Sequence, residues 1–278
     1  MTEHLPERWS AVINPVAGHG RSRVRVPAIA DALAAVDTDM EIEVSVDLAD
    51  VARIARRAFE RGRGVVACGG DGTACVIAGL AAEHEGVLAL VPAGSGNDLA
   101  RHLGVTRHDP AAAASLLVAG RVACVDLGRV EAADGSRAWF TTVANAGFDA
   151  EANRWANAVG PLSGTPLYVV AVLRTLASYR PRQLRVTVDD DVLDTTGWLV
   201  AVANSHSYAG GMMITPDAEL DDGALDVCVV GRVSRGGFLR TFPRVFAGTH
   251  TRHAAVSVRR GKRVTIEMPE AVDAPEVW

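Results

Sequence analysis

Gly64-Val65-Val66-Ala67-Cys68-Gly69-Gly70-Asp71-Gly72-Thr73 is the stretch on which the reading of this chain turns. Residues 64–68 read as a short buried strand and 69–73 as a glycine turn. Ala74-Cys75-Val76-Ile77-Ala78-Gly79-Leu80 then opens a helix. A strand, a glycine turn and a helix N-terminus gather unpaired N–H groups around one concavity, and such a concavity binds phosphate. The carboxylate of Asp71 inside it needs a reason. Two like unit charges 4 Å apart repel by roughly 4 kcal/mol at an effective dielectric near 20. A divalent cation between carboxylate and phosphate turns that repulsion into a bridge, so the local reading is a Mg-nucleotide site with Asp71 on the Mg2+. As a turn residue, Asp71 is expected to be exposed and to carry little packing.

A second turn repeats the pattern. Val87-Leu88-Ala89-Leu90-Val91 is another buried strand, followed by Pro92-Ala93-Gly94-Ser95-Gly96-Asn97-Asp98 and a helical Leu99-Ala100-Arg101-His102-Leu103. Gly94 and Gly96 permit close backbone approach, and Ser95, Asn97 and Asp98 supply polar groups at a helix start. Each turn alone also fits an ordinary βα loop. Together they place two such turns at the same end of successive strands, where open parallel sheets bind ligands.

Outward from these turns, the first half alternates strand and helix. Strands are expected at 9–13 and 40–46. One helix carries Val26, Ile29, Leu33 and Val36, and another carries Val51, Ile54, Ala55 and Ala58 on one face. A further helix is expected at 111–118. The character changes near residue 122, where a domain boundary is placed. Strands are expected at 122–130, 138–146, 183–188, 197–203, 224–230 and 263–268, with helices at 149–158, 166–179 and 235–246. The expected architecture is an open α/β domain over 1–122 and a mainly antiparallel β domain over 123–278.

Composition narrows the classes. The chain has 278 residues, 49% hydrophobic and 22% charged, which suits a soluble globular protein with ample core. A net charge of −5 argues against nucleic acid. The four cysteines show no CxxC spacing and read as reduced residues of a cytoplasmic protein. No apolar run reaches the ~18 residues of a membrane span. Arg252, Arg259, Arg260, Lys262 and Arg263 read either as a solvated hairpin or as a patch for transient peripheral contact with anionic lipid. Gly18-His19-Gly20-Arg21-Ser22-Arg23 has Arg23 where a dinucleotide fingerprint needs its third glycine. No GxxxxGK[ST], HExxH or GxSxG occurs.

The ordered motifs resemble the diacylglycerol kinase catalytic superfamily, which includes bacterial diacylglycerol kinases, related soluble lipid kinases and sphingosine kinases. They are Asn14-Pro15 with Gly18 and Gly20, the GGDGT of 69–73, and Gly94-Ser95-Gly96-Asn97-Asp98. Further on come Asp126-Leu127-Gly128, Asn145-Ala146-Gly147-Phe148-Asp149 and the run from Pro216 to Val227. The resemblance implies a nucleotide-binding α/β domain, then a β-sandwich domain, with the active site in the cleft between them. It implies transfer of the γ-phosphoryl group of ATP to a hydroxyl of a membrane lipid, most directly diacylglycerol. Asn14, Gly69, Gly70, Asp71, Gly72, Thr73, Ser95 and Asn97 would bind nucleotide, and Asp71 would be the catalytic carboxylate. Asp222, with the main-chain carbonyls of Glu219 and Ala224, would hold a second, structural Mg2+, since oxygen-only ligation suits that ion.

Two features depart from the pattern. Ala74-Cys75 stands where many members have Asn-Glu. The resemblance also implies an Asp-Gly-Glu turn with a general-base glutamate, and a closing strand, beyond Trp278. The expectation is therefore a chain lacking that base, with a sheet edge left uncovered that invites pairing into a homodimer. Two other readings stay open: a NAD kinase-like enzyme, and a catalytically weak lipid- or nucleotide-binding module. In the second domain Phe148, Trp155, Leu162, Leu167, Tyr168 and Leu173 read as an apolar lipid groove or as core.

Overall fold

The computed structural model describes residues 4–18, 20–105, 109–158, 165–268 and 276–277, with backbone alone for 21, 156–158, 165–169 and 276–277. It divides into two units, Met1–Val125 and Asp126–Trp278. In the first, β1 (Arg8–Ile13) leads through a 3-10 turn (Arg21–Arg25) to α1 (Val26–Ala34) and β2 (Asp39–Val44). Next come α2 (Leu48–Glu60), β3 (Gly64–Gly69), α3 (Asp71–His84), β4 (Leu88–Pro92), α4 (Asp98–His102) and α5 (Pro110–Ala119). The strands form one parallel sheet in the order β2-β1-β3-β4.

Alternate residues of these strands face opposite layers. Ala11, Ile13, Val66 and Cys68 pack with Ile29 and Leu33 of α1 and Leu117 of α5. Val12, Val65 and Ala67 pack with Val51, Ile54 and Ala58 of α2 and Ile77 of α3. A sheet covered on both faces needs apolar residues at every strand position, which is why 64–68 and 87–91 read as continuous apolar runs. The α2 helix starts where the Asp47 carboxylate accepts the Asp50 N–H at 2.7 Å. From β1 the chain moves out to β2 on one side and returns to β3 on the other. The crevice at the carboxyl ends of β1 and β3 is therefore a topological switch point, the usual ligand position in such sheets.

The second unit begins with β5 (Gly128–Glu131), β6 (Arg137–Phe140), β7 (Val143–Gly147), α6 (Phe148–Ala158) and α7 (Thr165–Ser178). It continues with β8 (Arg182–Val188), β9 (Asp191–Ala203), β10 (Leu225–Gly231) and α8 (Arg235–Thr241). Two 3-10 turns (Phe242–Ala247 and Thr249–Arg252) precede β11 (Val256–Gly261), β12 (Val264–Glu267) and β13 (Glu276–Val277). A seven-stranded antiparallel sheet runs β11-β10-β9-β7-β13 with β8 on β9 and β12 on β8, and β5 pairs with β6 apart from it.

Several boundaries differ from the sequence reading, each for a local reason. The strand expected at 122–130 is reduced to β5, because the Asp126 N–H bonds the Leu220 carbonyl at 2.6 Å rather than a ladder partner. The strand expected at 138–146 breaks at Thr141-Thr142. Asn204 takes both carbonyls there, through Nδ2 at 3.1 Å and its main-chain N–H at 2.7 Å. The strand at 197–203 extends back to Asp191 and pairs with β8 through a tight turn in which Asp189 has φ 51°. The strands near Lys262 are not a hairpin, since β11 pairs with β10 and β12 with β8. The edge of β7 is not left uncovered either: Glu276 and Val277 pair with Asn145 and Ala144.

Ile77 is fully enclosed and holds the helix that begins at the glycine turn. Ile77→Ala is expected to lower stability by about 2–5 kcal/mol, against less than about 0.5 for exposed Arg56→Ala. Urea unfolding of the two variants checks the difference.

Candidate functional site

Three loops meet at the carboxyl ends of β1, β3 and β4. Asn14, buried after β1, donates its main-chain N–H to the Cys68 carbonyl and Nδ2 to Thr73 Oγ1, both at 2.9 Å. Its Oδ1 accepts the Val16 N–H at 3.1 Å, and its carbonyl accepts Ser22 Oγ at 2.9 Å. After β3, Gly69 offers one carbonyl to the N–H groups of Ala93 (2.7 Å) and Gly94 (3.2 Å). The two glycine turns then touch backbone to backbone. A Cβ on Gly94 would lie 2.4 Å from the Gly70 Cα, so any side chain there would force the turns apart.

Asp71 is not the exposed turn residue expected from the sequence. It is the first residue of α3, and its side chain crosses to the second turn. Oδ2 accepts the Asn97 N–H at 2.7 Å; Oδ1 accepts those of Asp98 at 2.6 Å and Leu99 at 3.4 Å. Asn97, at φ 55°, closes its own turn by accepting the Gly94 N–H and donating to the Gly94 carbonyl, both at 2.9 Å. The side chains of Asn14 and Asn97, expected to contact nucleotide, are thus internal braces. Ser95 sits half-buried beside Gly18. The first-turn N–H groups of α3, at Gly72 and Thr73, have no intrahelical acceptor. A Cβ on Gly72 would meet nothing within 4 Å, so open space adjoins them.

Burial and the neighbouring Asp98 carboxylate push the Asp71 carboxyl up to about 6, against the pull of its three N–H donors. Asp98 is itself buried and ion-paired with Arg101, whose Nη2 also donates to the Gly96 carbonyl at 2.9 Å. A Cβ on Gly96 would lie 2.5 Å from Asp71 Oδ2 and 3.2 Å from Asp98 Oδ2, so both carboxylates border the same small space. Both carboxylates already have partners, Asp71 three N–H groups and Asp98 the Arg101 guanidinium, so a hard divalent cation taking its other ligands from phosphate and water would share them with those donors. No cluster of three or more His, Cys, Asp or Glu suited to a metal occurs among the described residues. The pairing of Asp98 with Asp71 was not legible from spacing, because 27 residues separate them and only the sheet brings their turns together.

Of the set Glu219, Asp222 and Ala224, the Asp222 carboxylate is likewise already engaged. Asp222 Oδ1 accepts the Ala224 N–H at 3.0 Å, and Oδ2 is ion-paired with Arg260. Asp126 Oδ2 accepts the Gly223 N–H at 2.7 Å, which ties the loop from below. The guanidinium also opposes the rise that burial, Asp222 and Asp217 impose on the Asp226 carboxyl. A cation here would compete with Arg260 for the Asp222 carboxylate. Of the basic group expected to face lipid, Arg259 pairs with Asp191 and Arg260 with Asp222, which reduces its unpaired charge.

The second unit contains a small apolar cavity of about 50 Å³. Phe148, Leu199, Met212, Phe238, Phe242 and Val245 form much of its wall. Among the residues expected to form a lipid groove, Phe148 lines this cavity. Trp155 instead lies under the Arg174 guanidinium at 5.1 Å, and Leu173 is exposed. Leu162 and the side chains of Leu167 and Tyr168 lie outside the described residues. The sequence reading did not single out the cavity's α8 wall.

Comparison with known proteins agrees with this division. Residues 8–130 match the diacylglycerol kinase catalytic domain, and 142–276 match the YegS C-terminal NAD kinase beta sandwich-like domain. A diacylglycerol kinase of Mycobacterium tuberculosis (strain CDC 1551 / Oshkosh) is 36% identical over 276 residues, 97% of this chain and 88% of that protein. A diacylglycerol kinase of Bacillus subtilis (strain 168) is 26% identical over 74% of this chain and 67% of that one. A Stenotrophomonas maltophilia (strain K279a) protein named "Probable lipid kinase YegS-like" is 30% identical over 69% of this chain and 64% of its own length. A crystal structure of a diacylglycerol kinase from Bacillus anthracis str. Sterne superposes with a TM-score of 0.73 at 25% identity, over 97% of this chain and 88% of that one.

Gly72 lies in the first turn of a helix with free space around it, so Gly72→Ala is expected to raise stability by up to about 1 kcal/mol. The same methyl group would intrude on a phosphate at the helix terminus, so nucleotide affinity should fall. Thermal melts and nucleotide titration together check this opposition. At the second unit, Arg260→Ala is expected to lower the melting temperature and to make it responsive to Mg2+. The Mg2+ shift of wild type should equal that of Asp222→Ala, as scanning calorimetry in Mg2+ and in EDTA would measure.

Proposed function

Because this chain belongs to the diacylglycerol kinase catalytic superfamily and is a lipid kinase, we propose that it moves the γ-phosphoryl group of ATP to the primary hydroxyl of a membrane lipid, with diacylglycerol as the reference acceptor. The observation that carries the reading is the junction of the two glycine turns, where free N–H groups of α3 stand beside the Asp71–Asp98 pair. Phosphoryl transfer needs positioning and charge neutralisation more than covalent chemistry from side chains. The N–H groups of Gly72 and Thr73 would bind phosphate oxygens, and the glycine backbones allow the approach. Asp71 and Asp98 would hold Mg2+, which when bound neutralises charge on the transferring phosphate. With its carboxyl raised to about 6 before any metal binds, Asp71 would take up Mg2+ in competition with a proton. No helix among the described residues is long and apolar enough to cross a membrane, so the reading includes peripheral contact with the bilayer that supplies the lipid.

The test is turnover of labelled ATP with diacylglycerol in mixed micelles, with NAD as the competing acceptor. Lipid phosphorylation is expected and NAD phosphorylation is not; label on NAD alone, or on neither, overturns the reading. The pH profile carries a second expectation. A carboxyl raised to about 6 is protonated, and unable to ligate a cation, below that value. At limiting Mg2+, kcat/KM should therefore rise about tenfold per pH unit up to about pH 6 and level off above it. A profile flat from pH 5 to 8 would remove Asp71 from the Mg2+ site. Asp71→Asn is a weaker probe, since it also disturbs the N–H groups of 97–99.

A further inference from the structure

Asp71 and Asp98 border one small space, but the two carboxylates are held in different ways. Asp71 is fixed by three main-chain N–H groups of residues 97–99. The Asp98 side chain is 3% exposed and is fixed by Arg101, three residues on along α4, whose own side chain is 45% exposed. The guanidinium acts with both arms: Nη1 donates to Asp98 Oδ1, and Nη2 donates to the Gly96 carbonyl at 2.9 Å. The second glycine turn is therefore gripped from two sides. The Asp71 carboxylate takes its N–H groups, and the Arg101 guanidinium takes a carbonyl and a carboxylate. A planar fork fixes direction as well as distance, which a single ammonium charge does not. Because the fork takes Oδ1, Oδ2 is the oxygen that faces the space shared with Asp71 Oδ2. Without the fork, repulsion from Asp71 would turn the Asp98 carboxylate away from that space.

We propose that Arg101 is a positioning residue for the divalent cation: it keeps Oδ1 of Asp98 and so holds Oδ2 toward Asp71, where the pair would take Mg2+. The inference rests on the reading of Asp71 and Asp98 as the Mg2+ carboxylates and adds the residue that orients the second of them. Charge alone gives the opposite expectation, because a fixed positive group beside a cation repels it and its loss would tighten Mg2+. The geometry favours positioning. A guanidinium 45% exposed has its charge screened by solvent, whereas the direction of a buried carboxylate depends on its partner. Partners that orient a metal's ligands typically contribute about 10–100-fold in metal affinity.

The experiment measures Mn2+ binding in the presence of ADP by electron paramagnetic resonance, beside turnover against Mg2+ concentration, on the full chain. Arg101→Lys keeps the charge and loses the fork. It should weaken Mn2+ binding about tenfold and raise the Mg2+ needed for half-maximal turnover by the same factor, with the KM for lipid unchanged. Saturating Mg2+ should recover most of the turnover. Arg101→Ala should lose more, and added methylguanidine should restore Mn2+ affinity where methylamine does not, since the side chain's place is open to solvent. Arg53→Ala, which removes an exposed partner of Asp50 at the same helical spacing, should leave Mn2+ affinity alone. Wild-type Mn2+ affinity in Arg101→Lys overturns the proposal. So does tighter binding in Arg101→Ala, which would make the guanidinium a competitor of the metal. A lowered melting temperature with unchanged Mn2+ affinity makes Arg101 a structural residue and overturns it too. Wild type that binds no Mn2+ beside ADP overturns the metal reading itself, whereas binding indifferent to residue 101 overturns this inference alone. Should Arg101→Ala not fold, Arg101→Lys decides.

Discussion

The carboxylate of Asp71 accepting three main-chain N–H groups from residues 97–99 is the constraint on which the first unit's site depends. It joins two βα turns that have no covalent reason to stay together. Once they are joined, Gly70 and Gly94 must lie in backbone contact, Asn97 must adopt a left-handed conformation, and Asn14 is drawn to Thr73. Each of these hydrogen bonds is modest alone. Their value lies in holding free N–H groups at one place before a ligand arrives, since a cradle already ordered loses little entropy on binding.

The same interaction sets the electrostatics. Three N–H donors favour the ionised carboxyl, while burial and Asp98 oppose it, and the opposition prevails. The carboxyl is therefore held near neutrality without a histidine. In the second unit the loop of 217–226 solves the opposite problem. Its Asp222 is paired with Arg260, reaching across from the strand paired with β10. That pair is partly enclosed, unlike the exposed pairs such as Arg185–Asp194, which contribute little.

The two units differ in character: polar backbone and carboxylates gather in one, and a small apolar cavity lies in the other. Aromatic rings pack together in the core of the second unit. Phe148, Trp198 and Phe238 stack and abut with centroids 4.9–5.7 Å apart, and the Trp198 indole donates to the Val233 carbonyl at 3.0 Å.

What the sequence determined by itself was the local order: a parallel α/β half, an antiparallel half, and glycine turns at the carboxyl ends of successive strands. Periodicity and turn chemistry act over a few residues, so they are legible in a single chain. Ile29 and Leu33, or Val51 and Ile54, announce their buried faces by spacing alone. The family resemblance carried by GGDGT and its companions was legible too, because the motifs are contiguous. Only the tertiary structure decided what the polar side chains do. Asp71 reaches 26 residues to cap the second turn, Asn14 reaches 59 to Thr73, and Arg260 closes on Asp222 across a strand pair. It also split the strand at Thr141-Thr142. Such roles depend on which donor lies within about 3 Å of which acceptor, and sequence spacing carries no record of that once the chain has folded back on itself.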